Sequence, residues 1–169
     1  MSYEDYVCGT KFRDMADVWI GQHGKEDWNN QAPPFERDKL VVYCHTHDFR
    51  YVVNRISIFH EKVILITHNS DGAVRSSLEG QAIGENDADA SLLPPNVIKW
   101  YAQNVECMPN LFDNKLVPIP IGLENRYCFD YDKADMLFKK NPFEWNPVEG
   151  KPIYFNCNLN TNYAERSRA

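Results

Sequence analysis

The sequence predicts an α/β fold on a mostly parallel sheet, and three observations carry that prediction. Five short segments read as buried strands: residues 39–45 (KLVVYCH), 62–68 (KVILITH), 97–103 (VIKWYAQ), 115–121 (KLVPIPI) and 151–157 (KPIYFNC). Most are rich in β-branched or aromatic residues and lack clean alternation, as strands covered on both faces do. Between the first two lies a helix-like stripe of Tyr51, Val52, Arg55, Ile56 and Phe59. Strand, crossover helix, strand is the unit whose hand forces a parallel pair. The third observation is size and composition: 169 residues, 43% hydrophobic and 25% charged, suit one globular domain with its own core and not a disordered chain.

Taken in order, residues 10–20 (TKFRDMADVWI) read as an opening helix, and residues 21–38, polar and rich in turn formers, as a long surface loop. Residues 80–96 are also loop-like, with acids at Glu85, Asp87 and Asp89 and then Pro94 and Pro95. Proline cannot donate to a ladder, so Pro118 and Pro120 set the fourth strand at a sheet edge or a domain margin. Residues 132–140 (DKADMLFKK) read as a helix, with Asp early and Lys late to suit the dipole. At the far end Asn162 and Glu165 make a capping pair, and the helix they open stops at once, which predicts a continuation past residue 169.

The formal charge of −6 argues against a nucleic-acid partner, which needs a basic face. It leaves room for a small phosphorylated ligand. No apolar run approaches the ~20 residues that cross a bilayer, and the acidic, mixed amino terminus does not read as a signal peptide. The five cysteines, Cys8, Cys44, Cys107, Cys128 and Cys157, are odd in number and show no CxxC, so they read as structural thiols of a reducing compartment. The expectation is a cytoplasmic protein without a transmembrane segment.

In parallel α/β sheets, ligands bind beyond the carboxyl ends of the strands. Four of the five strands end in polar, turn-prone clusters: Cys44 to Asp48, Thr67 to Gly72, Gly122 to Arg126, and Asn158 to Asn162. If the strands are parallel, these groups gather on one edge. His68-Asn69-Ser70-Asp71-Gly72 describes a tight turn that meets a ligand, with His68 as a general base and Asp71 orienting it or holding hydroxyls. The same residues also satisfy ordinary turn chemistry. Glu124 and Asn125 follow the stiff Pro120-Ile121-Gly122 exit, which a purely structural role does not explain. Asn160, Asn162 and Arg166 lie on a strand-to-helix turn of a kind that attracts phosphate, although solvated charges account for them as well.

The segments ILITHNSDG, IKWYAQNV, KLVPIPIGLENR and YFNCNLNTNYAERSRA, in that order, resemble the first half of exostosin-like glycosyltransferases of the GT-B type. The resemblance spans roughly residues 40–168, and residues 1–39 add nothing to it. It implies a Rossmann-like acceptor-side domain over residues 1–150, with residues 151–169 opening a following domain or connecting element. It implies transfer from a nucleotide sugar to a glycan or other hydroxyl acceptor, without an essential metal or other cofactor. His68 and Asp71 would line the cleft as catalytic candidates, with Asn69 and Ser70 beside them. Glu124 and Asn125 would form the other wall, with Asn160, Asn162 and Arg166 toward the donor phosphate.

Two other classes compete. A metal-dependent hydrolase would use His45, His47, His68 and Asp71, since alternating histidines at a strand end can face one cation. A non-catalytic carbohydrate-binding domain would use aromatic residues such as Trp28, Trp100, Tyr101, Tyr127 and Trp145, although such residues also dominate cores.

Overall fold

The computed structural model describes residues 9–21, 25–28, 37–108, 112 and 114–121, and its spine is the pair of segments richest in β-branched residues. Strand β3 (Lys39–His45) and strand β4 (Lys62–His68) have the bounds the sequence predicts. They pair in parallel without a slip, from Lys39 opposite Lys62 to His45 opposite His68. Between them helix α2 (Phe49–Ile56) buries Phe49, Val52, Val53 and Ile56. The buried stripe shares only Val52 and Ile56 with the expected one: Tyr51 lies 44% exposed, Arg55 is half-buried, and Phe59 falls past the end of the helix. Asn96 closes the end of the helix, its side-chain amide donating to the carbonyls of Ile56 at 2.9 Å and Phe59 at 3.3 Å. Those are helix-end acceptors that would otherwise need water.

The amino-terminal region departs from expectation. Helix α1 covers only Gly9–Asp14, and strand β1 (Val18–Gly21) takes the remainder of the segment read as helical. Val18, Trp19 and Ile20 are β-formers, and burial of Val18 and Ile20 on one face outweighs the helical reading. Asp17 fixes the junction: its carboxylate accepts the Val41 amide at 2.8 Å and pairs with Arg37. Part of the expected long loop is also a strand, β2 (Lys25–Trp28), antiparallel to β1. Arg55 of α2 reaches this edge and donates to Glu26 at 2.6 Å.

Two short strands, β5 (Val74–Arg75) and β6 (Ala88–Asp89), form a separate parallel pair. Strand β7 (Val97–Ala102) and strand β8 (Leu116–Pro118) complete the main sheet, in the order β2-β1-β3-β4-β7-β8. Every pairing in it is parallel except β1 with β2. Among the described residues β8 lies at the margin, and it ends at Pro118, short of the expected residue 121, as a residue that cannot donate to a ladder allows. The expected strand at 151–157 and helix at 132–140 lie outside the described residues.

The two faces of the sheet are packed differently. On one, α2 and the β5–β6 region cover Leu40, Val42, Cys44, Val63, Leu65 and Trp100, all buried. Trp100 stacks on Phe49 at 4.7 Å, worth about 1 kcal/mol beyond its area, and donates to Thr67 Oγ1 at 2.9 Å. The other face buries Ala16, Tyr43 and Ile66 under half-buried Phe12, Trp19 and Tyr101. His45 and His68 end the strands on this thinner face, beside Trp19 and Phe12 respectively.

Of the acids in residues 80–96, Asp87 and Asp89 are structural, and Glu85 is exposed. Asp87 accepts the amides of Ala73 and Gly84 and pairs with Arg75 at 3.2 Å. Asp89 accepts from Ser77 and Ser91. Burial alone would raise its pKa, but these hydrogen bonds outweigh it and hold the carboxyl below the ordinary value. Cys44 and Cys107 are buried free thiols; burial raises both, Cys107 to about 11. Cys8, Cys128 and Cys157 lie outside the described residues. Among those residues no helix is long and apolar enough to cross a membrane.

Candidate functional site

Because β3 and β4 are parallel and in register, their terminal turns lie side by side at the carboxyl edge of the sheet. The turn after β4 is a braced frame. Asn69 adopts the left-handed region with φ 61°, a conformation asparagine tolerates. Its amide donates to Gln103 Oε1 at 2.9 Å, and Gln103 Nε2 donates to the Ser70 carbonyl at 3.1 Å. Asn104 Nδ2 donates to the same carbonyl at 3.2 Å. The Ala102-Gln103-Asn104 stretch after β7 thus holds the His68–Gly72 turn in shape. Gly72 is required there, because a Cβ would lie 1.9 Å from the Asn86 carbonyl oxygen.

His68 is only 1% exposed. Its Nε2 donates to the Pro120 carbonyl at 3.0 Å, while Nδ1 is buried without a hydrogen-bond partner. Gly9 approaches so closely that a Cβ there would lie 3.0 Å from Nδ1 and 2.9 Å from Asn69 Oδ1. Burial lowers the His68 pKa, partly opposed by the Pro120 bond, so the ring is neutral at pH 7. Asp71, two residues past Asn69, is exposed.

The turn after β3 opens onto a cavity of about 140 Å³ lined by Gly9, Thr10, Arg13, Trp19, Tyr43, His45 and Asn69. Trp19 stacks near His45 at 6.0 Å, Tyr43 meets it edge-on, and Arg13 lies over the Trp19 ring at 5.4 Å. Burial lowers the His45 pKa, and the charges of His47, Arg13 and His68 add to it. The chain then enters a 3-10 turn (Thr46–Asp48). The His45 and His47 rings meet at 5.2 Å, and His47 Nδ1 contacts Ser70 Oγ at 3.2 Å.

The residues singled out in the sequence therefore separate. Asn69 lines the cavity, Ser70 touches His47, Asp71 faces solvent, and His68 is sealed behind the turn. The anticipated metal quartet is corrected in its membership. The ligand atoms of His45, His47 and Asp48 lie within 4.8 Å of one another. His68 instead commits Nε2 to Pro120. Glu124, Asn125, Asn160, Asn162 and Arg166 lie outside the described residues, as do Tyr127 and Trp145. Trp100 is wholly buried core rather than a sugar platform.

Sequence reasoning missed Gly9, Thr10, Arg13 and Trp19, all within the amino-terminal stretch that carries no resemblance. A recognised strand over Val18–Gly21 would have set Trp19 near the edge. No family model, curated protein or solved structure matches the chain.

Proposed function

We propose that this chain supplies the acceptor-binding half of a glycosyltransferase, Rossmann-like in fold and exostosin-like in type, using a nucleotide sugar as donor. The cavity at the sheet edge supports this reading. The half-buried rings of Trp19 and His45 suit the C–H faces of a sugar, and Arg13, Thr10 and Asn69 suit its hydroxyls. Its volume of about 140 Å³ is below the ~300–1,000 Å³ of clefts for drug-sized ligands. One sugar unit matches that size, and a whole nucleotide sugar does not. The donor is accordingly assigned outside this cavity, with Asn160, Asn162 and Arg166 toward its phosphate and Glu124 and Asn125 on the other wall of the cleft, as the resemblance implies.

In the transfer, the acceptor oxygen bonds to the anomeric carbon and the bond from that carbon to the nucleoside diphosphate breaks. The acceptor proton passes to a base, and the diphosphate departs with the bonding pair. Of the two candidates, His68 is sealed and only Asp71 is exposed, next but one to the cavity residue Asn69, so the base role falls to Asp71. His68 positions the turn that carries it.

Monosaccharides, free nucleotides and nucleotide sugars, screened by thermal shift and Trp fluorescence on the whole chain, test the reading. A bound saccharide raises the melting temperature by mass action. The expected result is saccharide binding that Arg13→Gln weakens about tenfold, near 1.4 kcal/mol. Binding by no saccharide, or binding indifferent to Arg13→Gln, overturns the proposal.

A further inference from the structure

We infer that His45, His47 and Asp48 form a binding site for a divalent first-row transition cation of the zinc class, independent of the saccharide reading, which needs no metal. Two imidazoles and a carboxylate are a donor set that such ions take, and three protein ligands leave coordination positions for water. The ligand atoms lie within 4.8 Å of one another. His47 Nε2 and Asp48 Oδ2 are 3.6 Å apart. Two ligands about 2.0–2.1 Å from a tetrahedral ion stand roughly 3.3 Å apart, so small side-chain rotations complete the geometry.

The backbone arranges this locally. His45 is the last residue of β3 and extended, with φ −75° and ψ 149°. The 3-10 turn that follows returns His47 to its side and delivers Asp48 at the start of α2. Asp48 makes no side-chain capping bond to that helix; its carboxylate is set toward His47 instead.

A second, independent contact orients the site. Ser70, from the neighbouring turn, meets His47 Nδ1 at 3.2 Å and accepts the Gly72 amide at 3.2 Å. A serine oxygen has two lone pairs, so it accepts both N–H groups. With the proton on Nδ1, Nε2 presents its lone pair to the ion, the arrangement by which outer partners fix metal-bound histidines. His45 also lines the cavity, so the cluster adjoins it. Arg13 stands on that wall and its positive charge acts on His45; it opposes a cation, while Asp48 attracts one. The same Arg13→Gln change that weakens saccharide binding therefore tightens metal binding, and this separates the two proposals.

The test uses the whole, untagged chain, stripped with chelator and titrated with Zn²⁺ by calorimetry, with metal content measured after dialysis and Co²⁺ absorption as a probe of ligand geometry. The expected result is one Zn²⁺ per chain, lost in His45→Ala and in Asp48→Asn. Ser70→Ala weakens binding about 10–100-fold, and Arg13→Gln strengthens it. His60→Ala, an exposed histidine away from the cluster, has no effect. Asp48→Asn keeps the shape of the side chain, so it carries the test if His45→Ala does not fold. Substoichiometric zinc, zinc that survives both substitutions, or zinc removed by His60→Ala overturns the proposal.

Discussion

The turns that end β3 and β4 are neighbours, both rich in histidine and small polar groups, yet they are built for opposite tasks. The turn after β4 is braced: Gln103, Asn104 and the Gly72 close approach define its path, and its histidine is sealed. The turn after β3 is an open wall, whose His45 reaches the cavity. In-register pairing makes one the support of the other, and Ser70 is the point where they touch. A polar cluster at a strand end is thus not by itself a site. Whether its groups already spend their hydrogen bonds on the fold decides it.

The largest way to break this division is Gly72→Ala. The added Cβ would overlap a backbone oxygen that no rotamer change can move, and we expect a loss of about 3 kcal/mol in urea unfolding. A loss under about 1 kcal/mol would mean the turn is not braced as described.

Next is Gln103→Ala. Gln103 is 2% exposed and satisfies two backbone groups of the Asn69–Ser70 turn. Its removal should cost about 2 kcal/mol and weaken saccharide binding as well, because Asn69 loses its support. Stability lost with binding intact would show that the brace does not shape the cavity.

The smallest effect is on pH dependence, to which His45 in the other turn adds in the same direction, its pKa also lowered chiefly by burial. The folded His68 pKa lies below its ordinary value, chiefly through burial, so the unfolded chain takes up the proton first. Its contribution is whole above about pH 6.5 and is lost as pH falls from there through the folded value. The melting temperature of metal-free protein should therefore decline on acidification below neutrality, and His68→Phe should flatten that decline. Asp89, also depressed, adds an acid-labile contribution at lower pH, present above the usual aspartate range and lost as pH falls through its folded value. An unchanged profile in His68→Phe would place the sensitivity elsewhere.

Much of the architecture was legible in the chain. Dense β-branched runs located β3 and β4 to the residue, and the stripe between them implied a parallel pair. Prolines marked β8 as marginal, as it is among the described residues, and the odd number of cysteines implied structural thiols, of which Cys44 and Cys107 are described and are free and buried. The short strands β1 and β2 were not legible. A four-residue strand gives too little pattern to outweigh a plausible helix, and β1 is settled by Asp17 binding the Val41 amide from 24 residues away.

The site divided along the same line. The sequence by itself determined that polar turns follow the strands, because β-rich runs and turn formers are local properties of residue type, and the crossover helix implied that β3 and β4 are parallel. It named the His68–Gly72 turn and the His45–Asp48 turn as the places to look. Only the tertiary structure decided which histidine is spent and which is open. That choice rests on contacts with Pro120, Gly9, Gln103 and Trp19, distant in the chain and brought together when the sheet closes its register.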